Sequence, residues 1–282
     1  MPTSSTAQQA RQDIADRLRE IRLDVGLTAR ALAASAGWHE SKCSRIEHAR
    51  TPPSDDDIHT WCRICGAPEQ AADLIAASRA AESTWTQWRR LERPGMRRAQ
   101  EAVALLWERT RRFRIYSPFL IPGPIQSAAY IRALLRTLQE RRPTGVDDIE
   151  AAVEVRLARQ RVVYELDRGF SIVLEENVLR HQVGGPSVLR EELEYLRSVM
   201  SVPSVRVGII PFSADRSPVF PVEMFFMHDD VQVNVELVSG WLRVTQPSEI
   251  AMYAETFARF SGMAVYDQEA RALISRAASE LR

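Results

Sequence analysis

The sequence predicts two structural classes in one chain. Residues 1–92 read as an all-α N-terminal domain of about five helices, and residues 93–282 as an α+β domain with a small mixed or antiparallel sheet of about 4–5 strands. Three observations support this. Apolar residues recur at helical spacing through the first quarter; the breaker pair Pro94-Gly95 punctuates the chain where that pattern ends; and the clearest β-rich runs of strand length lie beyond residue 169. A length of 282 residues also favours about two domains.

Composition narrows the function classes. With 26% charged and 45% hydrophobic residues the chain is typical of folded globular proteins rather than disordered or collagen-like ones. No apolar run approaches the roughly 20 residues of a membrane span, and the start, Met-Pro-Thr-Ser-Ser, lacks the basic and apolar regions of a signal peptide, so a cytoplasmic location without membrane contact is expected. Basic and acidic residues balance at 37 each, which makes any basic surface a local asymmetry. Lys42 is the only lysine. Cys43, Cys62 and Cys65 lie in one short stretch and cannot pair completely, as expected of reduced thiols.

From Ala10 to Gly26, residues Ile14, Leu18, Ile21 and Val25 recur at intervals of four, three and four, the stripe of an amphipathic helix that Gly26 ends. In LTARALAASAG, residues 27–37, Thr28 is placed to cap a second short helix packed through Leu32, Ala33 and Ala36 and closed by Gly37. The following WHESKCSRIEHAR buries Trp38, Cys43 and Ile46 if helical, and turns His39, Glu40, Ser41, Lys42, Ser44, Arg45 and His48 outward. Two short helices joined by a tight glycine-containing turn, with a small residue where they cross, form a helix-turn-helix.

The run LTARALAASAGWHESKCSRIEHAR resembles the helix-turn-helix of the phage-repressor and xenobiotic-response-element (XRE) family of regulators. Ala33, Gly37, Cys43 and Ile46 hold the steric positions, with Ser44 to Glu47 in register. Ala29 departs from the Gln or Glu common there, and His48-Ala49 replaces an Asn-Gly, so the turn after the second helix forms without glycine. The resemblance implies that the second helix lies in a major groove. Glu40, Ser41 and Arg45 match the base-reading positions, Arg45 being suited to guanine and Glu40 to a cytosine amino group. His39, Lys42 and Ser44 suit phosphates, and Thr28 and Arg50 complete the expected DNA-binding set. The alternative is the solvated face of an ordinary surface helix.

A further helix fits residues 54–66, with Ser54 as cap, the acidic first turn Asp55 to Asp57, and Ile58, Trp61, Cys62 and Cys65 inward. Its WCRIC sequence invites a redox or zinc reading with His48 and His59 nearby. A redox pair needs a strand before it and structural zinc needs four ligands, so buried thiols are the preferred reading. Residues 68–91 read as one helix through Leu74, Ile75, Ser78, Ala81, Trp85 and Trp88, with the two tryptophans on one face. RRLERPGMRR, residues 89–98, reads as the linker. Nine arginines face three carboxylates between Arg89 and Arg114, and DNA backbone, solvent and an acidic partner all remain open as their destination.

Residues 99–114, about 126–139, 147–167 and 249–281 have helical spacing, while FSIVLEE (170–176), VRVGIIPF (205–212), VEMFFMH (222–228) and VQVNVEL (231–237) read as strands. The motifs LIPGPIQSAAYIRALL, VRLARQRVVY, IVLEENVLR and LRSVMSVPSVRVGIIPF make this part similar to the domain that follows such a helix-turn-helix in actinobacterial, antitoxin-like transcriptional regulators. That resemblance implies a domain that senses a signal or docks a small partner protein. No phosphate loop, nucleophile elbow or metal-spaced histidine pair is present, and Glu175-Glu176 and Asp229-Asp230 are neighbours that a strand would turn to opposite faces, so neither catalysis nor a cofactor is expected.

The leading expectation is a sequence-specific DNA-binding regulator, dimeric on a palindromic operator. One alternative is an antitoxin-like interaction protein that captures a small partner and uses DNA binding for autoregulation. Another is a small-molecule sensor with its ligand near Tyr116, Phe119, Phe225 and Phe226.

Overall fold

The computed structural model describes residues 4–80 and 85–281, and its packing divides into two compact units. The first holds the described residues before Trp85 together with Val244–Ile250; the second holds Trp85–Arg243 and the chain from Ala251.

The first unit contains the helices α1 (Ser4–Asp24), α2 (Ala29–Ala36), α3 (Glu40–Glu47), α4 (Asp55–Ile64) and α5 (Ala71–Ala80). Their apolar stripes meet in one core that includes Ile14, Leu18, Ile21, Leu32, Ala33, Cys43, Ile46, Ile58 and Trp61. Val25, the expected fourth member of the first stripe, lies beyond the end of α1 and is exposed. The buried indole N–H of Trp61 donates to the Leu18 carbonyl at 2.9 Å, tying α4 to α1. Ser54 and Asp57 form a reciprocal capping box at the start of α4.

The second unit is built on seven strands: β1 (Trp85–Gln87), β2 (Arg112–Ser117), β3 (Gly169–Glu175), β4 (Val205–Ile210), β5 (Phe225–His228), β6 (Gln232–Glu236) and β7 (Gly240–Val244). They form a single sheet in the order β1-β7-β6-β5-β2-β3-β4. The sheet is mixed: β2, β3 and β4 run parallel, whereas β5 is antiparallel to β2 and β6, and β1 is antiparallel to β7. The accompanying helices are α6 (Trp88–Glu92), α7 (Met96–Glu101), α8 (Ala104–Arg109), α9 (Ala128–Arg141), α10 (Ile149–Gln160), α11 (Pro186–Val199), α12 (Pro247–Met263) and α13 (Asp267–Glu280). Parallel strands need long crossovers, supplied by α9 and α10 between β2 and β3 and by α11 between β3 and β4.

Seven strands exceed the expected 4–5: β1 and β2 begin within stretches of helical spacing and pair with distant chain, and β7 follows β6 after three residues as a further strand at its edge. β2 begins inside the stretch expected as helix 99–114, and β1 interrupts the helix expected over 68–91. Trp85 and Trp88 are three apart and imitate a helix face, yet Trp85 belongs to β1 and Trp88 opens α6. Ala81 lies outside the described residues.

Residues 85–92, placed by sequence in the N-terminal domain, pack with the second unit. Trp88 Nε1–H donates to the Leu237 carbonyl at 2.8 Å, and Arg142 donates to both oxygens of the buried Glu92 at 2.7 and 2.8 Å. Pro94-Gly95 is accordingly the start of α7 rather than a linker. The Asp148 carboxylate accepts from the backbone N–H groups of Met96 and Arg97 at 2.9 and 3.0 Å, capping that helix from a distant loop. Gly95 has φ +113°, and a Cβ there would collide with Asp148 Oδ2. Gly95→Ala therefore combines backbone strain with loss of this cap and is expected to lower stability by about 1–3 kcal/mol. An unchanged thermal midpoint for that variant would contradict the assignment.

Candidate nucleic-acid interface

The two helices of the motif are set by their ends. Thr28 Oγ1 accepts from the Ala31 N–H at 3.1 Å and so caps α2. Gly37 ends α2 at φ +68°, where the N–H groups of Gly37 and Trp38 donate to the Ala34 and Ala33 carbonyls at 3.2 and 2.8 Å. The chain then reverses into α3, whose cap is His39: Nδ1 accepts from the Ser41 N–H at 3.3 Å. Leu32 and Ala33 on α2 and Cys43 and Ile46 on α3 are buried together, which leaves the opposite face of α3 outward.

Of the expected contact residues, Thr28, His39, Glu40, Ser44, Arg45 and Arg50 are exposed, and Ser41 and Lys42 half-buried. The structure brings three of them into one chain of hydrogen bonds. Ser41 Oγ lies 2.8 Å from His39 Nδ1, and Arg45 Nη1–H donates to Ser41 Oγ at 3.2 Å. This network holds the Arg45 guanidinium along the outer face of α3 and restricts the side-chain freedom it would otherwise lose on binding. Ser44 presents its hydroxyl outward while its carbonyl lies 2.7 Å from His48 Nδ1.

Lys42 is drawn away from the outer face. Its ammonium donates to Asp57 Oδ1 at 2.6 Å and lies 4.4 Å from the centre of the Trp38 ring, bracing α3 against the first turn of α4. Burial pushes the Asp57 carboxyl up, but hydrogen bonds from Lys42 and Ser54 outweigh it and hold the group below the usual carboxylate range.

Two further determinants were not read from the sequence. The turn after α3 forms with Ala49 itself in the left-handed region, φ 50°, in place of the glycine usual there. Inside, Arg22 of α1 donates to both oxygens of Glu47 at 2.5 and 3.1 Å and to the Leu27 carbonyl at 2.5 Å. Arg22 breaks the apolar pattern of α1 one residue after Ile21, the signal that could have exposed the pair.

The other sequence candidates resolve into packing. Cys43, Cys62 and Cys65 are free thiols buried in the core, and burial pushes Cys43 and Cys62 up to about 11. In the arginine-rich stretch, Arg97 and Arg98 pair with Glu101 of the same stretch, while Asp167 and Asp230 from elsewhere in the chain pair with Arg111 and with Arg112 and Arg114 and so reduce the local positive excess. Tyr116 and Phe225 are fully buried: Tyr116 stacks on Phe260 at 3.8 Å and donates to Glu175 at 2.8 Å, and Phe225 packs edge-on against Tyr253. They form core, whereas Phe119 and Phe226, the other two residues of the small-molecule reading, line a cavity of the second unit.

A helix-turn-helix domain model matches residues 13–75, from within α1 to the first half of α5. A second family model, described as Domain of unknown function (DUF5753), matches residues 100–276, well over half of the chain. The chain belongs to the DUF5753 family. No curated protein and no solved structure matches it. The DUF5753 region takes in β2 to β7 and most of α13, so the sheet apart from β1 falls within the family match. Among the described residues no helix is long and apolar enough to cross a membrane.

Two tests follow from the interior of the first unit. Glu47→Ala leaves Arg22 charged and uncompensated, with an expected loss of about 3–5 kcal/mol in denaturant unfolding. The double replacement Arg22→Met with Glu47→Leu should recover much of it, and a Glu47→Ala variant as stable as the parent would refute the pairing. For Lys42, the sign follows from the lowered Asp57 group. Its stabilisation is present above the ordinary aspartate value of 3.8 and is lost as pH falls through the lower folded value. Lys42→Met should therefore reduce stability at neutral pH and make no difference once Asp57 is protonated; a deficit independent of pH would point to lost packing on Trp38 instead.

Proposed function

We propose that this protein is a sequence-specific DNA-binding transcriptional regulator that reads its operator through α3. The observation that supports this best is the hydrogen-bonded run His39–Ser41–Arg45 on the outer face of a capped and internally anchored α3, within a region matching a helix-turn-helix domain. Arg45 has the fork geometry for guanine O6 and N7, and Glu40, exposed in the first turn of α3, has the acceptor oxygens for a cytosine amino group. Thr28, His39, Ser44 and Arg50 supply donors for phosphates. Lys42 contributes by holding α3 on α4, and reaches a phosphate only by giving up Asp57.

One helix in one groove buries little surface, so useful affinity calls for two copies on a two-fold operator with half-sites about one helical turn apart. In this reading the DUF5753 domain responds to a signal or a small partner protein, and the whole acts in the cytoplasm without catalysis or a cofactor.

The deciding experiment is selection from a fragmented genomic library at fixed moderate salt, parent against Arg45→Ala. The parent should enrich a few fragments that share a palindrome. Arg45→Ala should lose about 1–3 kcal/mol of discrimination at one position of each half-site while keeping weak general binding. Sedimentation at micromolar concentration checks the dimer. A parent that selects no sequence, or a variant with unaltered selectivity, would overturn the assignment.

A further inference from the structure

The second unit carries a half-open cavity of about 320 Å³ that the DNA-reading surface does not use. Its size is in the range of small-molecule sites, and its wall combines apolar and aromatic surface with a few convergent polar groups. Trp107, Trp241, Phe226 and Met96 supply the apolar wall, drawn from four separate elements. Arg156 and Arg159 project from α10 into the same lining, with Glu236 of β6.

The polar groups of this wall are incompletely matched. Arg159 donates to the carbonyl and side-chain oxygens of Gln100 at 2.9 and 3.1 Å and lies 4.6 Å from the centre of the Trp107 ring, but its Nε–H meets no acceptor. Arg156 Nε and Trp241 Nε1 likewise have no hydrogen-bond partner among the described residues. Three buried N–H donors without acceptors thus belong to residues that line one cavity, where donors are normally satisfied.

Charge points the same way. Glu92 is spent on Arg142; Glu236 faces Arg156 and Arg159, and Glu192, outside the lining, also acts on Arg156 while burial pushes its carboxyl up to about 7. Burial pushes both arginines down, Arg159 to about 9 with the neighbouring Arg156 charge adding to the effect, and pushes Glu236 up. His228, also in the lining, is held neutral by burial, which lowers it to about 4, and its ring nitrogens already face Thr110 and Asn234. Arg141 and Arg142 line both this cavity and a neighbouring cleft of about 850 Å³ that also carries Arg89 and Arg93, a basic approach able to concentrate anions.

We propose that this cavity binds a small organic anion, with an apolar aromatic body against Trp107 and Trp241 and a carboxylate at Arg156 and Arg159. The carboxylate supplies acceptors for the unpartnered Nε–H groups of Arg156 and Arg159 and a negative charge beside the two guanidiniums. Gly123 belongs to the same construction: a Cβ there would come within 3.1 Å of Arg156 Nη2, so any side chain presses on the guanidinium.

The test uses the full chain and three aryl carboxylates of increasing size, phenylacetate, 1-naphthylacetate and 9-anthracenecarboxylate, each against its neutral amide. Calorimetry and tryptophan fluorescence report binding. At least one carboxylate should bind one-to-one and at least about tenfold more tightly than its amide, as expected for hydrogen bonds to a charged group. Arg156→Met should remove that preference by weakening carboxylate binding far more than amide binding, while Arg156→Lys should restore part of it. Circular dichroism checks that the variants fold; if Arg156→Met does not, the carboxylate-to-amide ratio in the parent and in Arg159→Gln decides. Equal affinity for acid and amide, or no saturable binding of any carboxylate up to about 1 mM, would overturn the proposal. No DNA enters the measurement, so its outcome is independent of the operator experiment.

Discussion

Arg22 turns inward from α1 and meets Glu47 from the last turn of α3, with the Leu27 carbonyl accepting a further guanidinium N–H. Both side chains are about 7% exposed, so each depends on the other for what water would have supplied. Apolar contacts alone tolerate small rotations, whereas a two-bond guanidinium–carboxylate contact fixes direction. The pair therefore sets the angle at which α3 leaves the core, and with it the placement of Ser41 and Arg45. The His39 cap and the Lys42–Asp57 contact refine an orientation already decided inside.

The helix-turn-helix was legible because its code is local. Ala33, Gly37, Cys43 and Ile46 do their work within a few residues of one another, and caps such as Thr28 and Ser54 act on the next turn. Strands β3 to β6 were legible for a related reason: runs such as VRVGII are apolar enough to be buried on both faces. Of the strands that escaped notice, β1 and β2 owe their conformation to partners far along the chain, and β7, which mixes glycine, tryptophan and arginine, lies between nearby β6 and distant β1. Arg112 and Arg114 in β2 alternate with Phe113 and Ile115, a period-two signal masked by the helical stretch just before it.

The cavity was legible only in part: of the four aromatic residues that the small-molecule reading named, Phe119 and Phe226 line it, whereas Tyr116 and Phe225 pack in the core. Its wall is assembled from α6 to α10, the loop after β2, and β5 to β7, and no sequence period describes such a set. A further trace lies in α10. The buried stripe of α10 runs Ile149, Ala152, Val153 and then continues with Arg156 and Gln160, polar residues at core positions. Gln160 is accounted for by the carbonyls of Gly123 and Gln126, to which its amide donates at 2.6 and 3.0 Å, so α10 shapes the proline-rich loop after β2 from within. Arg156 has no such protein partner for its Nε–H, and that difference between two similar irregularities separates a structural residue from a binding one.

The sheet order also bears on how the chain is made. Trp85 of β1 pairs with Leu242 of β7, with most of the domain's chain lying between them. Closing so long a loop is costly and slow, and synthesis delivers the N-terminal strand first. The helices α1 to α4, whose core contacts are close in sequence, can assemble while the ribosome is still adding the sheet. β1 must wait for β7 to emerge. A chain stopped before residue 240 would carry a folded helix-turn-helix and an unpaired sheet edge, the kind of exposed strand that proteases and aggregation select.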